Sequence, residues 1–133
     1  MASRAEPKTR PTDVPVADFL GTVEPPDRRA EAERAVALVT AGTGVQPVMW
    51  GASIVGWGET AGDVPWPVVG YAPRKAQHVF YLLDDYGPVE EQLARLGPHS
   101  HGRSCLYVKR LGAVDEQVLS DLVLYAWRRS ISA

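Results

Sequence analysis

The sequence predicts a single α+β domain, an antiparallel sheet of about four to five strands packed by helices from both ends of the chain. Three observations predict it. Apolar residues fall at helical spacing near each end, as in Ala32, Ala35, Val36 and Val39, and again in Val118, Leu119, Leu122, Val123 and Ala126. Between them, three strand-like runs follow one another through short connections, which favours antiparallel pairing. The 133 residues, 45% hydrophobic and 23% charged, suffice for one domain with its own core. The predicted order is α-α-β-β-β-α-β-α.

Residues 1–12 carry three basic residues, two prolines and almost nothing to bury, so they read as a loose tail before a domain over 13–133. VPVADFLGTV (14–23) follows Asp13 and spaces Val16, Phe19, Leu20 and Val23 as a short helix. PPDRRAEAERAVALVTAG (25–42) is a longer one, with Pro26 in the first turn, Asp27 and Glu31 near its positive end and Gly42 as its stop. MWGASIVGWG (49–58) reads as a glycine-bent strand. VPWPVVGYA (64–72) is entered through prolines, and HVFYLLDD (78–85) is the clearest strand, closed by Asp84, Asp85 and Gly87. Pro88 opens a helix over VEEQLARLG, ended by Gly97. SCLYVKRL (104–111) is a strand, and DEQVLSDLVLYAWRRS (115–130) is an amphipathic helix with Arg128 and Arg129 at its negative end.

The charge of −2 provides no global field for nucleic acid or anionic lipid, and no apolar run is long enough to span a membrane. One cysteine, Cys105, excludes an internal disulfide and suits a reducing compartment. The N-terminus lacks the apolar run of a signal peptide, so a cytoplasmic location is expected.

Two phosphate-binding readings of MWGASIVGWG fail. After Gly56 come Trp57 and Gly58, so the lysine and hydroxyl of a P-loop are missing; Gly62 falls one place late for a dinucleotide fingerprint. Strict alternation places Trp50 and Trp57 on opposite faces, with Trp50 toward a pocket. Trp50, Trp57, Trp66 and Tyr71 crowd one third of the chain, which suits core packing or a platform for a flat ligand. Arg74 and Lys75 at one strand entrance, with Arg103, Lys109 and Arg110 around the last strand, suit an anion-binding patch or a solvated rim. His99, His101 and Cys105 form a metal-like cluster with no fourth ligand at suitable spacing. Asp84–Asp85 and Glu90–Glu91 are equally a turn and helix N-terminal charges, and no nucleophile–base pair marks an enzyme.

KTRPTDVPVADFL, MWGASIVGWG, GYAPRKAQHVFYL and LGPHSHGRSCLYVKRL, in that order, resemble the YdhG-like family, a bacterial domain of unknown function. The likeness runs from about Lys8 to Leu124. It implies a compact α+β fold with a curved antiparallel sheet. A few members are described as frataxin-like intracellular iron chaperones. The residues that match are Trp50, Gly51, Gly56, Gly58, Pro73, Arg74, Lys75, Gly97, Gly102, Cys105, Leu106 and Tyr107. The chain departs from the family pattern in its proline-rich stretch between Gly58 and Gly70 and in Ser100, where relatives often carry lysine. Iron delivery needs clustered carboxylates, yet Arg28, Arg29 and Arg34 interrupt Glu24, Asp27, Glu31 and Glu33.

The expected function is therefore a binding module, without catalytic or metal-ligating residues or a cofactor. Its aromatic and basic pocket of Trp50, Gly51, Trp57, Tyr71, Arg74, Lys75 and Lys109 would hold an anionic small molecule or peptide group. Iron carriage is the alternative, through the acidic helix or the His99/His101 loop. The expected state is a monomer or a weak homodimer, the latter through a sheet edge or Trp127.

Overall fold

A computed structural model describes residues 10–61 and 63–131. The tail expected over residues 1–9 lies outside the described residues. Residues 10–12, assigned by sequence to that tail, run beside the first strand: Gly51 N–H donates to the Arg10 carbonyl at 2.8 Å and Thr12 N–H to that of Met49 at 2.8 Å.

The helices follow from their apolar spacing. Helix α1 (Val16–Leu20) buries Leu20 and rests Phe19 on the core. Helix α2 (Pro26–Thr43) starts with proline in its first turn and buries Ala32, Ala35, Val36 and Val39. It does not stop at Gly42 as expected. It runs one residue further and closes on Gly44, whose left-handed backbone lets its N–H reach the Thr40 carbonyl.

The expected bent strand is a hairpin. Strands β1 (Val48–Trp50) and β2 (Ile54–Trp57) are joined by a three-residue turn in which Gly51 takes φ +65°. Strand β3 (Val69–Pro73) starts later than expected, because the prolines before it lie in a loop. Strand β4 (His78–Tyr81) precedes a single 3-10 turn (Gly87–Val89) and helix α3 (Glu90–Leu96). A two-residue strand β5 (Ser100–His101), not foreseen, pairs with β6 (Cys105–Val108). A second 3-10 turn (Leu111–Ala113) leads into helix α4 (Glu116–Ile131), where all five expected core residues, Val118 to Ala126, are buried.

The six strands form one antiparallel sheet in the order β1-β2-β3-β4-β6-β5, so the domain is α+β with slightly more strands than expected. Pairing aligns Met49, Val55, Tyr71, Phe80 and Leu106 in one row across the sheet, and all five join the helices in the main core. The opposite face carries a different row, Val48, Gly56, Gly70, Tyr81 and Cys105. There Trp50, Ile54 and Ala72 make a small second core with Tyr81. The Trp50 indole packs against Gly56: a Cβ at Gly56 would stand 2.4 Å from Trp50 Cδ1. Among the described residues, no helix is long and apolar enough to cross a membrane.

Candidate functional site

The seven residues expected to form one pocket are distributed over both faces of the sheet. Trp50 and Trp57 do lie on opposite faces, since Trp50 pairs with Ile54 and Trp57 stands three places further along β2. Trp57 is fully buried against the helices, its indole N–H donating to Thr40 Oγ1 at 3.0 Å. Trp50 is buried on the other face with its indole N–H unpartnered. Gly51 serves the hairpin turn. Arg74 donates to Ser53 Oγ at 3.0 Å and to the Tyr81 hydroxyl at 3.3 Å, while Lys75 is exposed on the β3–β4 turn. Among the described residues, then, both tryptophans are buried on opposite faces and share no site with these cations. Trp127 is half-buried, and its ring leaves no room for a Cβ at Gly58, which reduces what it can offer to a second copy.

Lys109 and Tyr71 belong to a different constellation. Tyr71 is fully buried and donates its hydroxyl to His78 Nδ1 at 2.6 Å; His78 Nε2–H in turn donates to Glu31 Oε1 at 2.8 Å. The same carboxylate oxygen accepts the Leu111 N–H at 3.3 Å. Sheet register makes this possible: His78 opens β4 opposite both Pro73 of β3 and Val108 of β6, so the chain just past β6 lies beside it. Helix α2 crosses above and supplies Glu31 and Arg28. Arg28 also donates to the Arg74 carbonyl, which ties α2 to the β3–β4 turn.

The relay's protonation follows from its surroundings. Burial lowers the His78 pKa below 6.5, with Arg28 adding to the effect against the opposing pull of Glu31, so the imidazole is neutral at neutral pH. Burial alone would raise the Glu31 carboxyl, but the His78 and Leu111 hydrogen bonds and the charge of Arg110 hold it below its usual 4.5. Burial drives the Tyr71 phenol above the ordinary tyrosine range, so it stays protonated and donates.

Outside this relay, two clefts meet. A narrow one of about 320 Å³ is walled by Asp27, Arg28, Glu31, Lys109 and Arg110. A wider one of about 600 Å³ is lined by Pro98, His99, Tyr107 and Ala113, and again by Lys109 and Arg110. The two shared cations make one groove that is mostly apolar at one end and charged at the other. Three cations face two carboxylates in the narrow cleft, and one carboxylate is already engaged by His78 and Leu111. Among the described residues Lys109 has no ion pair or hydrogen bond, which leaves its ammonium available.

The acid–base and metal candidates read differently in three dimensions. Asp85 Oδ1 accepts the Gly87 N–H at 3.0 Å, a turn interaction. The His99 and His101 rings stack with centroids 6.3 Å apart, and each directs Nδ1 to a nearby backbone carbonyl. Among the described residues no three histidine, cysteine, aspartate or glutamate side chains converge to hold a metal ion. Sequence reasoning missed Arg28, His78 and Tyr107 as parts of one site. The one local signal was a histidine opening an otherwise apolar strand. No family model, no curated protein and no solved structure matches the chain.

Proposed function

We propose that the protein is a small binding module for an anionic molecule that also carries a flat apolar part. The single observation that carries this reading is that two clefts of unlike character share Lys109 and Arg110. An anionic group is matched by those cations and Arg28, where charge-assisted hydrogen bonds are stronger than neutral ones. An aromatic or alkyl part is matched by Tyr107, Pro98 and Ala113 in the wider cleft. The relay behind the groove acts in support, since it holds Glu31 in place and ties α2 to the sheet. The four sequence blocks that resemble the YdhG-like family are what support placing the chain beside it, and Tyr107 and Lys109 of the last block both line the groove. The metal-carrying alternative has no donor set among the described residues to develop it.

Isothermal titration calorimetry tests the reading. Phenyl phosphate is expected to bind more tightly than inorganic phosphate, and benzyl alcohol more weakly than either. The double variant Lys109→Ala/Arg110→Ala, altered only at exposed positions, is expected to lose about tenfold in affinity for both anions. Saturable binding unaffected by the double variant, or no saturable heat with either anion, would refute it.

A further inference from the structure

The open face of the sheet carries a second cavity, of about 410 Å³, unconnected in its residues to the groove. Trp66 and Tyr81 line it together with Leu82, Leu83 and Cys105, and its one charged lining residue is Asp84. Trp66 is 39% exposed, high for a tryptophan that packs against another ring. Its position is nonetheless held from the backbone: Thr60 N–H donates to the Trp66 carbonyl at 2.8 Å and Trp66 N–H to Thr60 Oγ1 at 3.1 Å.

The two rings stand at 88° with centroids 6.5 Å apart. The pair packs edge to face and both residues line the cavity, so a cation held there is bordered by aromatic surface from two sides, and cation–π attraction acts within ~6 Å of a ring centroid. Aromatic faces carry partial negative charge, and Asp84 adds a full one at the rim. Anions are disfavoured there, and a hydrated metal ion has no set of oxygen ligands. A bulky, weakly hydrated ammonium group suits all three features: it fills apolar space, meets two aromatic rings and pairs at a distance with a carboxylate. No arginine or lysine lines the cavity among the described residues; Arg74 contacts Tyr81 at its hydroxyl.

We infer that the Trp66–Tyr81 corner with Asp84 at its rim is a binding site for an alkylated ammonium group, separate from the anion groove. The site is a two-walled aromatic cage in which Trp66 supplies the stronger wall and Asp84 the long-range attraction. Nothing in the anion-binding reading is needed for it, so the two stand or fall independently.

The test is an NMR titration of the full chain with choline and, separately, with its uncharged isostere 3,3-dimethylbutan-1-ol. Choline is expected to shift the Trp66 indole resonance saturably, and the isostere to bind at least about threefold more weakly, since only the charge differs. Trp66→Ala is expected to weaken choline binding about tenfold. Asp84→Asn, at an exposed position and so without risk to folding, is expected to weaken it about two- to fivefold and leave the isostere unchanged. Equal or tighter binding of the isostere would make this a simple apolar pocket and overturn the inference. So would choline shifts confined to other tryptophans, or none at all.

Discussion

Gly56→Ala is expected to destabilise the domain by about 3 kcal/mol, lowering the melting temperature by about 10 °C for a chain of this size. The cause is the open face of β2. An added Cβ would lie 2.4 Å from Trp50 Cδ1, 2.6 Å from Nε1 and 2.8 Å from Pro67 Cβ. None of these is the free end of a flexible side chain. The indole is 1% exposed between the sheet and its cover, so relief requires the β1–β2 hairpin or the proline loop to shift. Gly112→Ala is the matched control: its Cβ would meet nothing within 4 Å, and its effect is expected to stay within about 0.5 kcal/mol. If the clash is with the indole, combining Gly56→Ala with Trp50→Leu should cost less than the sum of the single changes, because the smaller side chain frees the space. Chemical denaturation of the parent, the three single variants and the double variant checks this. A Gly56→Ala protein as stable as the parent would mean that Trp50 does not lie over Gly56.

Glu31→Ala is expected to cost about 2 kcal/mol and to change how stability depends on pH. The alanine leaves the N–H of fully buried His78 and the amide of Leu111 without their acceptor. In the parent, His78 has its pKa lowered by burial, so the unfolded chain takes up a proton as the pH falls through 6.5 while the folded chain resists. The unfolded state then holds more protons, and stability falls with pH from about 6.5 downward, by at most ~1.4 kcal/mol per pH unit for one group. Glu31 acts in the same direction at lower pH. Its carboxyl lies below its usual 4.5, so its contribution is present above 4.5 and lost as the pH falls through the folded value. Urea titrations from pH 7.5 to 4 should show a steep acid limb in the parent. His78→Gln should flatten the limb just below pH 6.5 and, because the His78 hydrogen bond helps hold the Glu31 carboxyl low, weaken the lower part as well. An unchanged limb in His78→Gln would mean that the buried imidazole is not the group resisting protonation.

The helices were legible because a 3.6-residue period survives in sequence. The spacing of Val118, Leu119, Leu122, Val123 and Ala126 alone marks the buried face of α4. Short strands were less so. Gly51-Ala52-Ser53 lacks the Asn-Gly or Asp-Gly signature of a tight hairpin, so β1 and β2 read as one bent strand. Strand β5 is two exposed polar residues, Ser100 and His101, with no apolar alternation to announce it. Lys109 and Arg110 were visible as a basic pair, but Arg28 and Glu31 reach them from α2 only through the sheet's register. The tryptophans misled for a physical reason: large aromatic side chains are the most valuable packing units of a small domain, and here Trp50 and Trp57 each fill one side of the sheet.

The groove is most directly tested by following backbone amide resonances while the protein is titrated with phenyl phosphate. Binding in the groove predicts saturable shifts concentrated at Arg28, Gln77, His99, Tyr107, Lys109 and Arg110, with Trp50 and Trp57 unmoved. Shifts centred on Arg74 and Lys75, or a titration that leaves Lys109 and Arg110 in place, would contradict it.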